Sequence, residues 1–470
     1  MWIALQRVGL LLLVMLINAS LLDARPMRKK KRRRQQGQSQ RVSTKKRHRT
    51  LKNPATTSGK KRHRCFFPQI VQKHAVPIFS KTICHFFSDE ELATAVQRDK
   101  NTVKWEQKNA DPFSELIVSW NALRPSRGYL AIWVSVLHQG RFSRWHHLAD
   151  WGHKVQKTYL DNNDSIVHTK HNRVELLHGN LARGFKIKVV AHGGAEPTNL
   201  KALFGCISRL NQRKEIYPDP TLKTAMTKGH TKISQMMLDH ERKKDLCAPV
   251  STTMMVSYFH KRHFGEHPHY SMADYALNFA KNVHDQGDLN VFGNWNLNTA
   301  HAFDAMRGEV YFSAQRLNSF YDLYHYISSG VPVVVSVRKL KGGATPYAGG
   351  HLLMVIGWNS ETKRVICIDP AFAPHHATRK SYPLWPFIRA WGRSNNMSYV
   401  PMLKSMVGKK SASVGREPTV VAMDEQPVLD LAPTDLVSTS FDQLQLASLP
   451  VLPMLDADID QGLVDEPVQG

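Results

Sequence analysis

Between residues 112 and 210 the apolar positions fall into short runs separated by turn residues. Residues 116–120 run apolar, and 129–136 read as a strand buried on both faces. Residues 185–189 alternate apolar side chains with Lys186 and Lys188, and 200–207 read as a further strand. Arg127-Gly128, Asn162-Asn163-Asp164 and His192-Gly193-Gly194 break these runs at short intervals. Several short strands with turns between them predict a β-sandwich over 111–210. The stretch 65–110 reads as a mixed connector with a short helix at 88–97. A polar linker, 211–229, holds Pro218 and Pro220. Beyond it the period changes. Val250, Met254 and Tyr258 recur at helical spacing and stop at Gly265, and 272–283 is a second helical pattern. In 317–328 a third helix places Leu317, Phe320, Leu323, Tyr324 and Ile327 on one face. Strand-length runs follow at 331–337, 352–358 and 365–368, the last two joined as a hairpin by 359–363. Helices followed by antiparallel strands predict an α+β domain over 230–405. From 406 onward Gly, Ser, Pro and acids dominate and no core periodicity remains.

The two ends change the picture. Residues 1–24 read as a secretory signal, with Arg7 ahead of the apolar stretch 8–17 and Leu22-Asp23-Ala24 as the cleavage site. The apolar stretch is shorter than the ~20 residues a spanning helix needs, which favours a signal over a membrane anchor. The formal charge is +26, and much of it is local. Residues 25–64 hold eighteen Lys or Arg and no acid, whereas 417–470 hold eleven acids and no base. Such segments bury too little apolar surface to fold, so a disordered basic arm (25–64) and a disordered acidic tail (406–470) are expected. Arginine blocks bind phosphate without reading sequence. The arm therefore fits nucleic acid, an anionic membrane surface or an acidic polymer, or it folds back on the tail. An electrostatically adhesive arm is favoured over a specific nucleic-acid reader. The chain is expected to be exported: periplasmic, cell-surface or secreted. Five cysteines, an odd number, leave at least one free thiol. A Cys65–Cys84 disulfide with Cys247 reduced would suit an oxidising compartment, but the pairing stays open.

The chemistry centres on Cys247, which stands where a helix should begin. Unpaired N–H groups at a helix N-terminus lower a thiol pKa, and an imidazolium lowers it further. Pro249 is tolerated in the first turn, where a residue need not donate. His351 opens one strand, and Asp369 ends its hairpin partner, so the two can be neighbours. The acid would orient the imidazole and the imidazole would take the thiol proton. Gln235, twelve residues before Cys247, is a candidate oxyanion donor together with the Cys247 N–H. Cysteine first, histidine on a strand, then an acid is the order of a papain-type cysteine hydrolase.

These residues carry a resemblance. Gln235, Cys247-Ala248-Pro249-Val250-Ser251, Gly349-Gly350-His351 and Ile368-Asp369-Pro370-Ala371 resemble family 39 of the cysteine peptidases, the bacteriocin-processing, double-glycine group. Gly293-Asn294-Trp295-Asn296, the run Gly330-Val331-Pro332-Val333, and Tyr382 followed by Phe387 and Trp391 fit as well. The likeness spans 231–402 and is closest to the stand-alone secreted bacterial branch. Ser119-Trp120-Asn121 with Pro125, then Ser143-Arg144-Trp145, look like the β-rich module often found before that domain. The resemblance implies a papain-like fold, with Cys247 as nucleophile, His351 as base, Asp369 as orienting acid and Gln235 as oxyanion donor. It implies no cofactor. Ala248 stands where Gly or Ser is usual, and Ile368 where Asn often precedes Asp-Pro; neither change removes a reacting group. No transporter is attached, so cleavage after double-glycine leaders does not transfer. Peptide or isopeptide bonds, with transamidation as a variant, are the expected reactions.

Other constellations weigh less. His260, His263, His267 and His269 are closely spaced, but without a paired Cys or acid motif they read as a wet helix end rather than a metal site. Gly342-Gly343 and Gly349-Gly350 fit either a mobile loop over the cleft or a plain strand connection. Gly293-Asn294-Trp295 fits the cleft or the core. Trp120, Trp133, Trp145 and Trp151 fit a sandwich core better than a glycan-binding face. The competing functional class is a non-catalytic binding protein that holds an anionic surface or polymer through the β-rich domain and the basic arm.

Overall fold

In the computed structural model the described residues are 78–404, except 217, 219–220 and 266–270. The expected signal (1–24), basic arm (25–64), acidic tail (406–470), Cys65, His267 and His269 lie outside them. No helix among the described residues is long and apolar enough to cross a membrane.

The first half of the described chain is built from antiparallel strands. In chain order these are β1 (Ser80–Phe86), β2 (Thr102–Gln107), β3 (Glu115–Ala122), β4 (Tyr129–His138), β5 (Arg141–Phe142) and β6 (His146–Gly152). Then come β7 (Gln156–Thr158), β8 (Leu160–Asp161), β9 (Val167–Lys170), β10 (Val174–Leu176), β11 (Gly184–His192) and β12 (Leu200–Ser208). One sheet has the order β1-β12-β3-β10-β9-β8, and the other β2-β11-β4-β6-β7 with β5 beside β4. Their inner faces meet. Phe185 of β11 reaches Gly205 of β12, where any Cβ would strike the ring, and Trp105 packs edge-on against Phe185. The described part of the connector expected at 65–110, from residue 78 on, is part of this unit: β1 and β2 are edge strands of the two sheets. Its helix α1 (Asp89–Arg98) is stopped at the N-terminus by a capping box between Ser88 and Glu91.

The second half mixes helices with one sheet. Helices α2 (Cys247–Phe264), α3 (Met272–Val283), α4 (Trp295–Ala305), α5 (Phe320–Ser328) and α6 (Leu384–Gly392) accompany seven strands. These are β13 (Ala225–Met226), β14 (Val310–Arg316), β15 (Val333–Val337), β16 (His351–Asn359), β17 (Arg364–Ile368), β18 (Arg379–Pro383) and β19 (Met397–Leu403). The order is β14-β19-β15-β16-β17-β18, with β13 paired to β16. Helix α2 ends at Gly265 (φ +73°), a left-handed cap that glycine adopts without strain. The hairpin from β16 to β17 forms as expected, with Asn359 opposite Arg364.

The linker does not divide two cores. Strand β3 is buried along its whole length, because one face packs on the neighbouring sheet and the other on α4 and β14. The polar residues in β3 explain how a sheet face can be covered by another strand's backbone. The Asn121 amide donates to Phe312 O (2.7 Å) and accepts from Phe312 N (2.8 Å). Ser119 Oγ accepts from Ala314 N (2.9 Å), and buried Glu115 pairs with Arg316, whose Nη2 is 2.8 Å from Oε2. Ser119 and Asn121, two residues apart on β3, read the free backbone of Ala314 and Phe312, two residues apart on β14, in register, while Glu115 holds the Arg316 side chain. A continuous apolar cluster runs through the junction.

Candidate active site

Cys247 is the first residue of α2, and no side chain caps that helix end. Its N–H groups are therefore open to the thiol. Ser251, one turn on, donates to Leu352 O (3.0 Å) and ties the start of α2 to the start of β16. The Leu352 and Ala248 N–H groups donate to Cys247. One turn of helix and two residues of strand thus clamp the sulfur beside His351.

His351 lies between the thiol and the acid. Its Nε2 is 2.7 Å from Asp369 Oδ1, and the ring also hydrogen-bonds Cys247, which leaves Nδ1 for the sulfur. Asp369, at the end of β17, is fully buried. Its Oδ1 also accepts from Ala371 N (3.1 Å), and Oδ2 accepts from Tyr347 (2.9 Å) and Tyr382 (2.6 Å). The carboxylate is thus saturated with donors, the condition under which a buried charge is stable.

The electrostatics follow. Burial works against a charged Cys247, but the His351 hydrogen bond and charge, with the two backbone N–H groups, outweigh it and hold the thiol below its ordinary value. Burial likewise opposes the imidazolium; the charge of Asp369 and its hydrogen bond overcome this and push His351 up. Asp369 is held below the usual carboxylate value despite burial, by the charge and hydrogen bond of His351 and by Tyr382 and Ala371. A thiolate–imidazolium pair is the resting state this favours. The free thiol of Cys367 differs: burial, with Asp369 nearby, pushes it well up. Cys206 is buried against Ser80 Oγ (3.2 Å) and accepts from Arg316 N (3.4 Å). Cys84 is disulfide-bonded, and Cys206, Cys247 and Cys367 are free.

Gln235 is placed nearby but differently engaged. Its N–H donates to Pro370 O (2.9 Å), next to Asp369. Its Nε2 donates to Lys243 O (3.0 Å) and Lys244 O (2.9 Å), in the turn that delivers Cys247. Both amide hydrogens are therefore spent on that turn, while Oε1 is buried without a partner.

Tyr347 and Tyr382 are site residues that the order of Cys, His and Asp did not reveal. Tyr347 sits in the loop before His351, buried among exposed neighbours. Its ring stacks on His351 with centroids 4.0 Å apart and planes 16° off parallel. Its φ of +50° is left-handed, which is unusual for an aromatic residue. A Cβ at Gly343 would collide with its ring, and Gly350 takes φ +109°. The two Gly-Gly pairs therefore permit a tight loop that turns one tyrosine onto the histidine. The available signal was an aromatic between paired glycines directly ahead of His351.

The other candidates fall elsewhere. No group of three or more His, Cys, Asp or Glu side chains among the described residues could hold a metal. His263 faces Glu309 at 3.5 Å. Trp295 lies at the junction, with the Arg173 and Arg316 guanidiniums 5.8 and 5.7 Å from its ring. The tryptophans divide: Trp120 and Trp151 are fully buried, whereas Trp133 and Trp145 are part-exposed.

No curated protein and no solved structure matches the chain. Residues 230–399, which contain Gln235, Cys247, His351 and Asp369, match the model of the Peptidase_C39 like family.

Proposed function

We propose that the protein is a cysteine peptidase of papain-like architecture that cleaves peptide or isopeptide bonds through a thioester. The observation that supports this most is the position of His351, hydrogen-bonded to Cys247 on one side and to Asp369 on the other. In this reading the Cys247 thiolate attacks the substrate carbonyl carbon. The Cys247 N–H, at the open end of α2, donates to the developing oxyanion. Protonated His351 then gives its Nδ1 proton to the leaving amine, and the C–N bond breaks to leave the acyl group on sulfur. Neutral His351 next takes a proton from water, which attacks the thioester and releases the acid. Asp369 keeps the imidazole in one tautomer throughout. Gln235 acts as second oxyanion donor only after Nε2 releases the Lys243 or Lys244 carbonyl. With both bonds kept, it braces the turn that aims the sulfur.

We also propose that the enzyme is exported. The signal-like sequence at 1–24 and the disulfide at Cys84 support this.

The first test is alkylation by iodoacetamide at mildly acidic pH with peptide mapping. An ordinary thiol, pKa ~8.5, is almost unreactive there. Cys247 should label selectively, and more slowly after His351→Ala. Equal labelling of Cys247 and Cys367 would overturn the assignment.

A further inference from the structure

The outer face of the second sheet carries an assembly that peptide cleavage does not use. Lys188 of β11, Trp133 of β4 and His147 of β6 are cross-strand partners, and Tyr159, just after β7, extends the row. Trp133 and His147 stack with centroids 4.1 Å apart and planes 8° off parallel; His147 and Tyr159 stack at 4.0 Å. The Lys188 ammonium lies 5.1 Å from the Trp133 ring centre, and the Lys157 ammonium 4.8 Å from that of Tyr159. Asp150 fixes the interior of the row, accepting from His147 Nε2 (2.8 Å) and Tyr159 OH (2.5 Å). The result is a ladder of rings with a cation at each end, about three strand spacings (~14 Å) long.

Two more rings beside it each carry an ammonium. Lys188 is also 4.7 Å from the centre of Trp145, and Lys186 is 3.7 Å from that of Phe142. At the end of β4, Tyr129 stacks on His192 at 5.0 Å. There it lines a groove of about 320 Å³ with Arg127, His153 and Lys154.

The charge on this face is poorly compensated. Lys104 and Lys186 approach Asp99 and Glu106, but no ion pair among the described residues uses Lys154, Lys157 or Lys188. Burial, with Lys104 close by, disfavours the Lys188 charge. Held against rings, the Lys157 and Lys188 ammoniums have already lost much of the side-chain freedom that binding would cost.

The ring faces decide the ligand. Trp133 and Tyr159 are covered on one side by His147 and approached by an ammonium, so a nucleic acid finds no free platform for its bases there. Trp145 and Phe142 each carry an ammonium over one face and no stacked ring on the other. A uronic acid matches that combination, with an apolar C–H face for the ring and a carboxylate for the ammonium. An acidic peptide carries its carboxylates on flexible side chains with no ring face, and an anionic lipid headgroup carries its charge as phosphate rather than on a sugar ring carboxylate. We propose that this face binds an acidic, uronate-bearing polysaccharide across Trp145, Lys188 and Lys157, with the chain continuing into the groove at Arg127 and Lys154.

The test uses the full chain. Oligogalacturonate, polyphosphate of matched charge and the neutral oligosaccharide maltohexaose are titrated by calorimetry. Lys188→Gln and Trp145→Ala should each weaken oligogalacturonate binding at least fivefold while thermal melting stays within a few degrees. A smaller loss in either variant overturns the proposal. So does equal tightening by polyphosphate at this face, which would mark a site for any polyanion, or equal binding of maltohexaose. The wild-type chain supplies a readout free of folding effects. Limited acetylation, mapped with and without ligand, should show Lys188 and Lys154 protected at least threefold by oligogalacturonate and not by polyphosphate. Protection confined to the lysines of 25–64 overturns the assignment.

Discussion

Among the described residues the same three-residue arrangement occurs twice, and one of the two copies has a cysteine sulfur beside its histidine. In the site, His351 Nε2 meets Asp369 at 2.7 Å, Tyr347 donates to the same carboxylate, and the two rings stack at 4.0 Å. On the sandwich, His147 Nε2 meets Asp150 at 2.8 Å, Tyr159 donates to that carboxylate, and the rings again stack at 4.0 Å. What differs is the surroundings. His351 has the Cys247 sulfur on its remaining nitrogen, at an uncapped helix start. His147 has the indole of Trp133 on its second face. A histidine held by an acid and a tyrosine is therefore a way of fixing a ring. It becomes a proton-transfer device only where a nucleophile and oxyanion donors converge on it.

The widest separation between the two copies should come from the nucleophile. Cys247→Ala should lower turnover of a peptide substrate by about four orders of magnitude or more, with an unchanged urea unfolding midpoint. Residual turnover above a hundredth of wild type would sink the nucleophile assignment. The paired acids come next. Asp369→Asn should cut kcat by a factor of about 10²–10⁴, because the imidazole loses its charge partner and its tautomer is reversed. Asp150→Asn sits in the same local geometry without a sulfur, so the kcat ratio of the two variants is the reading. A ratio of about 100 or more supports the distinction, and a ratio near one erases it.

The pH profile tests the pair without mutation. Cys247 is lowered and His351 raised, so the thiolate–imidazolium state spans the interval between them. The rate should rise as pH climbs through the lowered thiol value and fall as the imidazolium loses its proton above it. Both limbs belong to the coupled pair rather than to one residue. A profile that rises only above the ordinary thiol value, ~8.5, would show that no pair forms before substrate binds.

Much of this was legible in the chain, for identifiable reasons. Cys247, His351 and Asp369 sit at element ends, where the switch from helical to strand period and the punctuation by Gly and Pro give each a readable position. The helix at 272–283 emerged with the expected bounds because its buried stripe (Ala276, Phe279, Ala280, Val283) is clean. The junction was not legible. Ser119 and Asn121 interrupt an apolar strand, and the partners that explain them lie about two hundred residues away, Phe312 standing 191 positions after Asn121. A polar linker at 211–229 suggested two separate cores because composition records exposure of the connection, not contact between what it connects. Tyr347 was hidden for a related reason. Its loop looks like solvent-exposed glycine-rich chain, and only the left-handed turn reveals that one ring faces inward.

Tyr347 also gives the smallest and sharpest test of how the catalytic copy is tuned. Its hydroxyl supplies one of two tyrosine bonds to Asp369 Oδ2, and its ring covers one face of His351. Tyr347→Phe removes the bond and keeps the stack. A hydrogen bond to a charged group contributes ~1.5–3 kcal/mol, but Tyr382 and Ala371 remain to hold the carboxylate. The loss should therefore be partial: kcat down about threefold to tenfold, KM within twofold, and the alkaline limb of the profile shifted. Because Asp369 keeps its charge and interacts more strongly with His351 once a competing donor is gone, that limb should move to higher pH. Tyr347→Ala removes the ring as well, opens the imidazole to water, and should cost more than the phenylalanine variant in both kcat and Cys247 alkylation rate. If the two variants behave alike, the stack contributes nothing and the hydroxyl alone positions the acid. If Tyr347→Phe leaves kcat and the alkaline limb where they were, Tyr382 alone suffices. The loop tyrosine would then be a packing residue, and its likeness to Tyr159 beside Asp150 would lie in ring geometry rather than in chemistry.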